Sequence, residues 1–368
     1  MLTRGIRFIL LFATCLAFIG LSSCGGGMLS SGVDLATGEG GSPAAPAAPT
    51  APTTPTTPAA VTNTVYGGVI ATGDAFRFEL NQTAGEISFI KFATGETAGF
   101  NYLKDPVYDY YAVEISKNPH VYMPGWLQQD GFGAFLDQDK NGGDLIMCMA
   151  LDTSFTDWPS VYGKTYGYII FKHSDTGLEL GYANVASNGI ATGYHTSSVD
   201  EDPVASAEQL DFSTFSAAEG NRFVSEGRDG TITVFARDGV LLASLGATVG
   251  SGIFIEQSDS MPLVPAEIQV GDIYRIYNYK RTGEAVENHE TSESRMQVTA
   301  VSANEMTVEI LSSPDGTGTA RLIKADKLPG FLRVEGGRTA IKFINADVLV
   351  SAENSDVWHH SYGIGFRE

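Results

Sequence analysis

From residue 65 onward, apolar and polar side chains alternate along the chain with a period of two. Phe76, Phe78 and Leu80 interleave with Arg77 and Glu79, and Met306, Val308 and Ile310 interleave with Thr307 and Glu309. This alternation predicts strands with one buried and one wet face. Tyr166 to Phe171 and Gly239 to Leu245 are richer in apolar side chains, which predicts strands buried more fully. Asn141-Gly142, Asp229-Gly230, Asp238-Gly239 and Asp315-Gly316 punctuate the pattern, each supplying the positive backbone angle of a tight hairpin. Short strands joined by tight turns predict an all-β chain, an antiparallel meander closed into barrels or sandwiches.

Helical spacing is scarce. Only Ala205 to Ala218 has room for a turn or two, and it follows Asp200-Glu201-Asp202-Pro203, an acidic run broken by proline. The predicted division falls there, giving β domains over 64–203 and 204–368, in keeping with ~100–200 residues per domain. Gly73-Asp74-Ala75-Phe76-Arg77 is echoed by Gly271-Asp272-Ile273-Tyr274-Arg275. Glycine followed by aspartate is a good turn exit, which accounts for the match without duplication.

The first 63 residues follow other rules. Arg4 and Arg7 precede an almost unbroken apolar run, Phe8 to Leu21, that ends in Leu21-Ser22-Ser23-Cys24. A positive start, an apolar centre and small residues at the end make a secretory signal with its cleavage site. The run falls short of the ~20 apolar residues that a bilayer-spanning helix needs. The segment resembles a bacterial lipoprotein signal, with Leu21, Ser22 and Ser23 matching the lipobox and Cys24 the lipid-carrying position. The resemblance covers roughly the first 27 residues. It implies a signal peptide over 1–23, acylation of Cys24, and a body held at a lipid bilayer without crossing it. Gly25 after the cysteine, in place of aspartate, resembles the pattern sorted to an outer membrane. Gly25 to Asn63, rich in Pro, Ala and Thr, carries almost no large apolar side chain that could offset its ordering entropy. The segment 24–63 therefore reads as a semi-rigid spacer; a flexible chain of this length would average ~35 Å end to end.

Charge narrows the partners. Loss of the leader removes Arg4 and Arg7 and no acid, so 23 basic residues become 21 against 43 acidic ones, a net charge of −22. Nucleic acid and anionic lipid both require a basic footprint, which excludes them as partners of the body. Cys15 leaves with the leader and Cys24 takes lipid, so Cys148 has no disulfide partner. It lies in the apolar run Leu145 to Met149 and is expected to be a buried, inert thiol.

Candidate chemistry is thin. Asp137, Asp139, Asn141 and Asp144 place oxygen atoms around Gly142, as in a loop that wraps Ca²⁺. Cys148 stands where the helical version of that loop needs glutamate, and an ordinary Asn-Gly hairpin turn accounts for the same residues. His289 to Glu293 begins like a zinc-protease helix but has Glu293 where the second histidine is required. His359 and His360 are neighbours in a predicted strand, so their rings point to opposite faces. Gly163-Lys164-Thr165 lacks the earlier glycine of a phosphate loop, because Trp158 occupies it. Ser88 and Lys91 have serine–lysine spacing but sit in a predicted strand. No Gly-x-Ser-x-Gly elbow occurs.

Aromatic side chains gather between Tyr102 and Tyr168, and flat rings with polar edges suit sugars, peptides and other amphipathic ligands. Trp126 and Trp158 stand beside loop-forming prolines and, with Tyr110 and Tyr122, are the predicted ligand-binding residues, since loops on a rigid scaffold carry most binding functions. The expected function is a non-enzymatic envelope lipoprotein that binds or interacts through its first β domain. The alternatives are a glycan hydrolase with carboxylates ~5–10 Å apart and a structural assembly component.

Overall fold

The computed structural model describes residues 63–70, 73–117, 120–128, 131–136, 145–152, 158–172, 177–227, 230–246, 250–258, 260–282, 289–354 and 359–368. Among them the chain is all-β, with two short 3-10 turns and no α-helix. The first eight strands are β1 (Asn63–Ile70), β2 (Ala75–Asn81), β3 (Glu86–Lys91), β4 (Thr97–Lys104), β5 (Tyr110–Lys117), β6 (His120–Leu127), β7 (Phe132–Leu136) and β8 (Leu145–Ala150). Each pairs antiparallel with the next, and β1 returns to β8, closing a barrel.

A nine-stranded antiparallel sheet follows: β9 (Thr165–Lys172), β10 (Leu178–Val185), β11 (Ile190–Thr196), β12 (Val204–Asp211), β13 (Ser216–Glu219), β14 (Arg222–Gly227), β15 (Gly230–Arg237), β16 (Val240–Ser244) and β17 (Gly250–Gln257). Its spatial order runs β12-β11-β10-β9-β17-β16-β15-β14-β13. A second barrel is then built from β18 (Ile273–Thr282), β19 (His289–Val301), β20 (Met306–Ser312), β21 (Gly318–Lys324), β22 (Leu332–Val334), β23 (Thr339–Phe343), β24 (Val348–Asn354) and β25 (His359–Arg367), with β18 closing on β25. Closure leaves no unpaired sheet edge in either barrel.

The turn chemistry is visible at Asp238 and Gly239, which have φ of 48° and 76° and reverse the chain between the paired residues Arg237 and Val240. Such a two-residue turn matches the twist of the strands it joins. The predicted helical stretch from Ala205 is mostly strand. A single 3-10 turn, Phe212–Thr214, interrupts it, and the Asp211 carboxylate accepts from the Ser213 N–H at 2.9 Å.

An eight-stranded barrel has an interior that side chains just fill, and the first barrel is filled. Phe78 stacks on Tyr66 at 5.1 Å between centroids and meets the edge of Phe135 at 5.7 Å. Cys148 is fully buried with a free thiol, and burial pushes its pKa well up, as expected of an inert cysteine.

The outer faces of both barrels and one face of the nine-stranded sheet share a further core. Phe171 of the sheet stacks on Tyr362 of the second barrel, and Trp126 of the first barrel stacks on Phe366 of the second. Gly67 lets the Phe235 ring lie against β1, where a Cβ would fall 2.3 Å from the ring. Each large apolar side chain buried here stabilises by about 1.5–3 kcal/mol, so the three sheets hold one another in place.

The predicted division at 203 and 204 falls between β11 and β12, which are hydrogen-bonded neighbours, with His195 paired to Val204. The sheets divide the chain instead near residues 152–158 and 258–272. The acidic segment is a surface turn docked on the second barrel: Lys327 binds Asp202 at 2.8 Å and Arg333 binds Asp200. The Gly-Asp echo also resolves. Gly73-Asp74 opens the second strand of its barrel and Gly271-Asp272 the first strand of the other, so the two are not equivalent positions.

Candidate functional site

The second barrel encloses a cavity of about 490 Å³, and we call the end near Lys280 and Asp315 its mouth. Along β18 the inward positions run Tyr274, Ile276, Asn278, Lys280, from the closed end to the mouth. Tyr274 closes the far end with Val298, Met306, Phe343 and Leu349, all buried, and its hydroxyl donates to the Ala346 carbonyl at 2.6 Å. Ile276, Met296, Val308, Leu322 and Ile341 form an aliphatic floor above this plug. Strand register then sets Asn278 level with Ser292 on one side and Gly363 on the other, and Gly363 level with Ser351. The next level toward the mouth holds Lys280, Ser361, Glu353 and Thr339.

Hydrogen bonds orient this wall. Asn278 Nδ2 donates to Ser294 Oγ at 3.0 Å, and Thr339 Oγ1 donates to Glu353 Oε2 at 2.9 Å. At the mouth Lys280 and Asp315 form an exposed ion pair at 3.0 Å. A Cβ at position 363 would lie 2.5 Å from Asn278 Oδ1 and 3.0 Å from Ser351 Oγ, so glycine keeps this level open. The volume falls within the range of small-molecule sites, and an apolar body with a few placed polar groups is their usual composition.

The ligand residues predicted from sequence lie elsewhere. Trp126 is in strand β6 rather than a loop, and is 3% exposed against Phe366 and Tyr108. Trp158 is 5% exposed in a 3-10 turn. Its ring packs on Phe215 and Phe223, and its Nε1 donates to the Phe212 carbonyl at 2.6 Å. Both rings are covered by protein and offer no face for a ligand to stack on. Tyr110 is half-buried between the barrels, with the Arg275 guanidinium 5.3 Å from its ring centre, and burial raises its phenol pKa. Tyr122 alone of the four is exposed, on the outer face of the first barrel. The structure does not bring these four into one site.

Asp137, Asp139, Asn141 and Asp144 lie outside the described residues, between the paired strands β7 and β8. No group of three or more metal-ligating side chains occurs among the described residues. Cys24 also lies outside them. Among the described residues no helix is long and apolar enough to cross a membrane. Ser88 and Lys91 lie in β3 as their context predicted, and Lys91 pairs with Asp74 at 2.7 Å; His289 to Glu293 begins strand β19 and is not a helix.

The signal for the cavity was present but unread: Ser361, Gly363 and Gly365 alternate with Tyr362, Ile364 and Phe366. Small side chains on one face of a barrel strand leave space.

No family model matches this chain, and no curated protein matches it. Among solved structures it is similar to isotype 1 transferrin binding protein B from serogroup B Neisseria meningitidis, with 9% identity and a TM-score of 0.29 over 83% of this chain and 76% of that one. A double mutant of transferrin binding protein B from Haemophilus parasuis Hp5 matches at 9% identity and a TM-score of 0.28, over 80% and 65%. The DNA polymerase sliding clamp of Caulobacter crescentus matches at 8% identity and a TM-score of 0.12, over 84% and 92%. Likeness at these scores carries no argument about what this chain binds.

Proposed function

We propose that this chain is a lipid-anchored binding protein of the cell envelope that holds a small ligand in its second barrel. The cavity carries the reading: about 490 Å³ of space inside a closed barrel, aliphatic below and hydrogen-bonding above. Cys24 would carry the lipid, and the segment 24–63 would lift the body off the bilayer, on the outer membrane by the pattern of residues after the cysteine. The hydrolase alternative needs two opposed carboxylates free to act on a bond. In the cup Asp315 binds Lys280 and Glu353 accepts from Thr339, an arrangement that favours holding a ligand over cleaving one.

A thermal-shift screen of envelope metabolites tests the reading. Any ligand that raises the melting temperature of the wild type should leave Gly363→Leu unshifted, because leucine fills the level between Asn278 and Ser351. Equal shifts in both proteins would place binding outside the barrel.

A second reading rests on the outer face of the first barrel. Leu103 and Tyr122 are exposed there, and Val107 and Tyr108 in the adjoining β4–β5 connection. Exposed apolar side chains gathered in one place mark protein-interaction surfaces. The barrel face would then recruit a protein partner while the second barrel holds its own ligand.

A further inference from the structure

The chemistry of the cup narrows its occupant, on the reading that the second barrel is the binding site. Three levels follow one another from floor to mouth. The floor is aliphatic, and among the described residues the cavity is lined by no Phe, Tyr or Trp, its one aromatic ring being the His360 imidazole. A flat sugar or base therefore lacks the broad Phe, Tyr or Trp faces on which such ligands stack. The middle level, set by Asn278, Ser292 and Ser351, with Ser294 reaching up to Asn278 from the Ile276 position, carries hydroxyls and an amide and no charge. Such groups both donate and accept hydrogen bonds. An ion held among them would lack a counter-charge, which is costly away from water. Arg295 also borders the cavity, but its guanidinium is held by Glu368. Among the described residues the other charges are at the third level, where Lys280, Asp315 and Glu353 bring both signs and select for neither.

The geometry points to an aliphatic amphiphile with an uncharged, multiply hydrogen-bonding head as the occupant of this cup. Its apolar part displaces water from the floor, and its head exchanges hydrogen bonds with the serine and asparagine level. Gly363 makes the fit possible, since a side chain there would collide with Asn278 and Ser351.

Calorimetry separates this inference from the site assignment beneath it. The chain from residue 24, carrying Cys24→Ser and retaining all three sheets, is titrated with octyl glucoside, octylammonium and octanoate, each below its micelle concentration. Octyl glucoside is expected to bind one to one, at least tenfold more tightly than either ion, while glucose alone does not bind. Gly363→Leu should abolish that binding with the fold intact by circular dichroism. If that variant does not fold, Ser351→Leu obstructs the same level. Equal or tighter binding of an ion, abolished by the obstructing variant, would overturn the head-group inference and leave the cup standing as the site. Binding of octyl glucoside undiminished in the obstructed variants would overturn both. No binding by any of the three amphiphiles would overturn the inference.

Discussion

Trp158 shows how a single side chain can read as functional in sequence and structural in space. Beside Pro159 it has the look of a loop aromatic, yet its ring is enclosed by Phe212, Phe215 and Phe223. The hydrogen bond from Nε1 to the Phe212 carbonyl satisfies its polar end at 2.6 Å, as a buried indole requires. This ring anchors the far face of the nine-stranded sheet, where Val234, Ala236 and Leu241 belong to the same cluster. Trp158→Ala should therefore cost stability, by about 3–5 kcal/mol as for other buried tryptophans, with little change in ligand affinity. Urea denaturation checks the first part and calorimetry the second. A stable variant with lost binding would restore the ligand role.

At the level of elements, the joint between β17 and β23 holds a lysine with no charged partner among the described residues. Lys342 is buried against Phe331, with Nζ 3.1 Å from Gln257 Oε1 and 3.0 Å from the Gly330 carbonyl. Burial pulls its pKa down from 10.5 to about 7, although two neutral acceptors favour the charged form. Between those values the unfolded chain holds a proton that the folded chain has released. Stability therefore rises with pH across this window, by up to about 1.4 kcal/mol per unit; below pH 7 both states are protonated and this contribution no longer changes. Lys342→Met keeps the volume and removes the titration. Urea midpoints at pH 6, 8 and 9.5 should rise with pH more steeply in the wild type than in the variant. Parallel slopes would show that Lys342 is not the group responsible.

At the scale of the whole molecule, the described chain is two closed barrels braced against one open sheet. The proposed attachment would rest on the leader and Cys24, which lie outside the described residues. Cys24→Ser should leave the leader uncut by the lipoprotein-specific peptidase and remove acylation, seen as loss of the lipid mass on the mature protein. Wild-type protein recovered from the aqueous phase of a detergent partition without attached lipid would overturn the anchor.

Period-two alternation together with closely spaced tight turns determined the all-β, antiparallel fold class. Asp238-Gly239 located a hairpin turn, because backbone angles at that turn are a local property of two residues. The strand context of Ser88 was legible from the same local pattern. Alternation says that a strand has two faces; it does not say what covers each. In β25 the bulky face, Tyr362, Ile364 and Phe366, turns outward into the core shared with Phe171 and Trp126. The small face, Ser361, Gly363 and Gly365, is left to line the barrel. Which face meets another sheet depends on strands more than a hundred residues away. Only the tertiary structure could therefore make Trp126 a packing residue and Asn278 and Ser351 the wall of a cup.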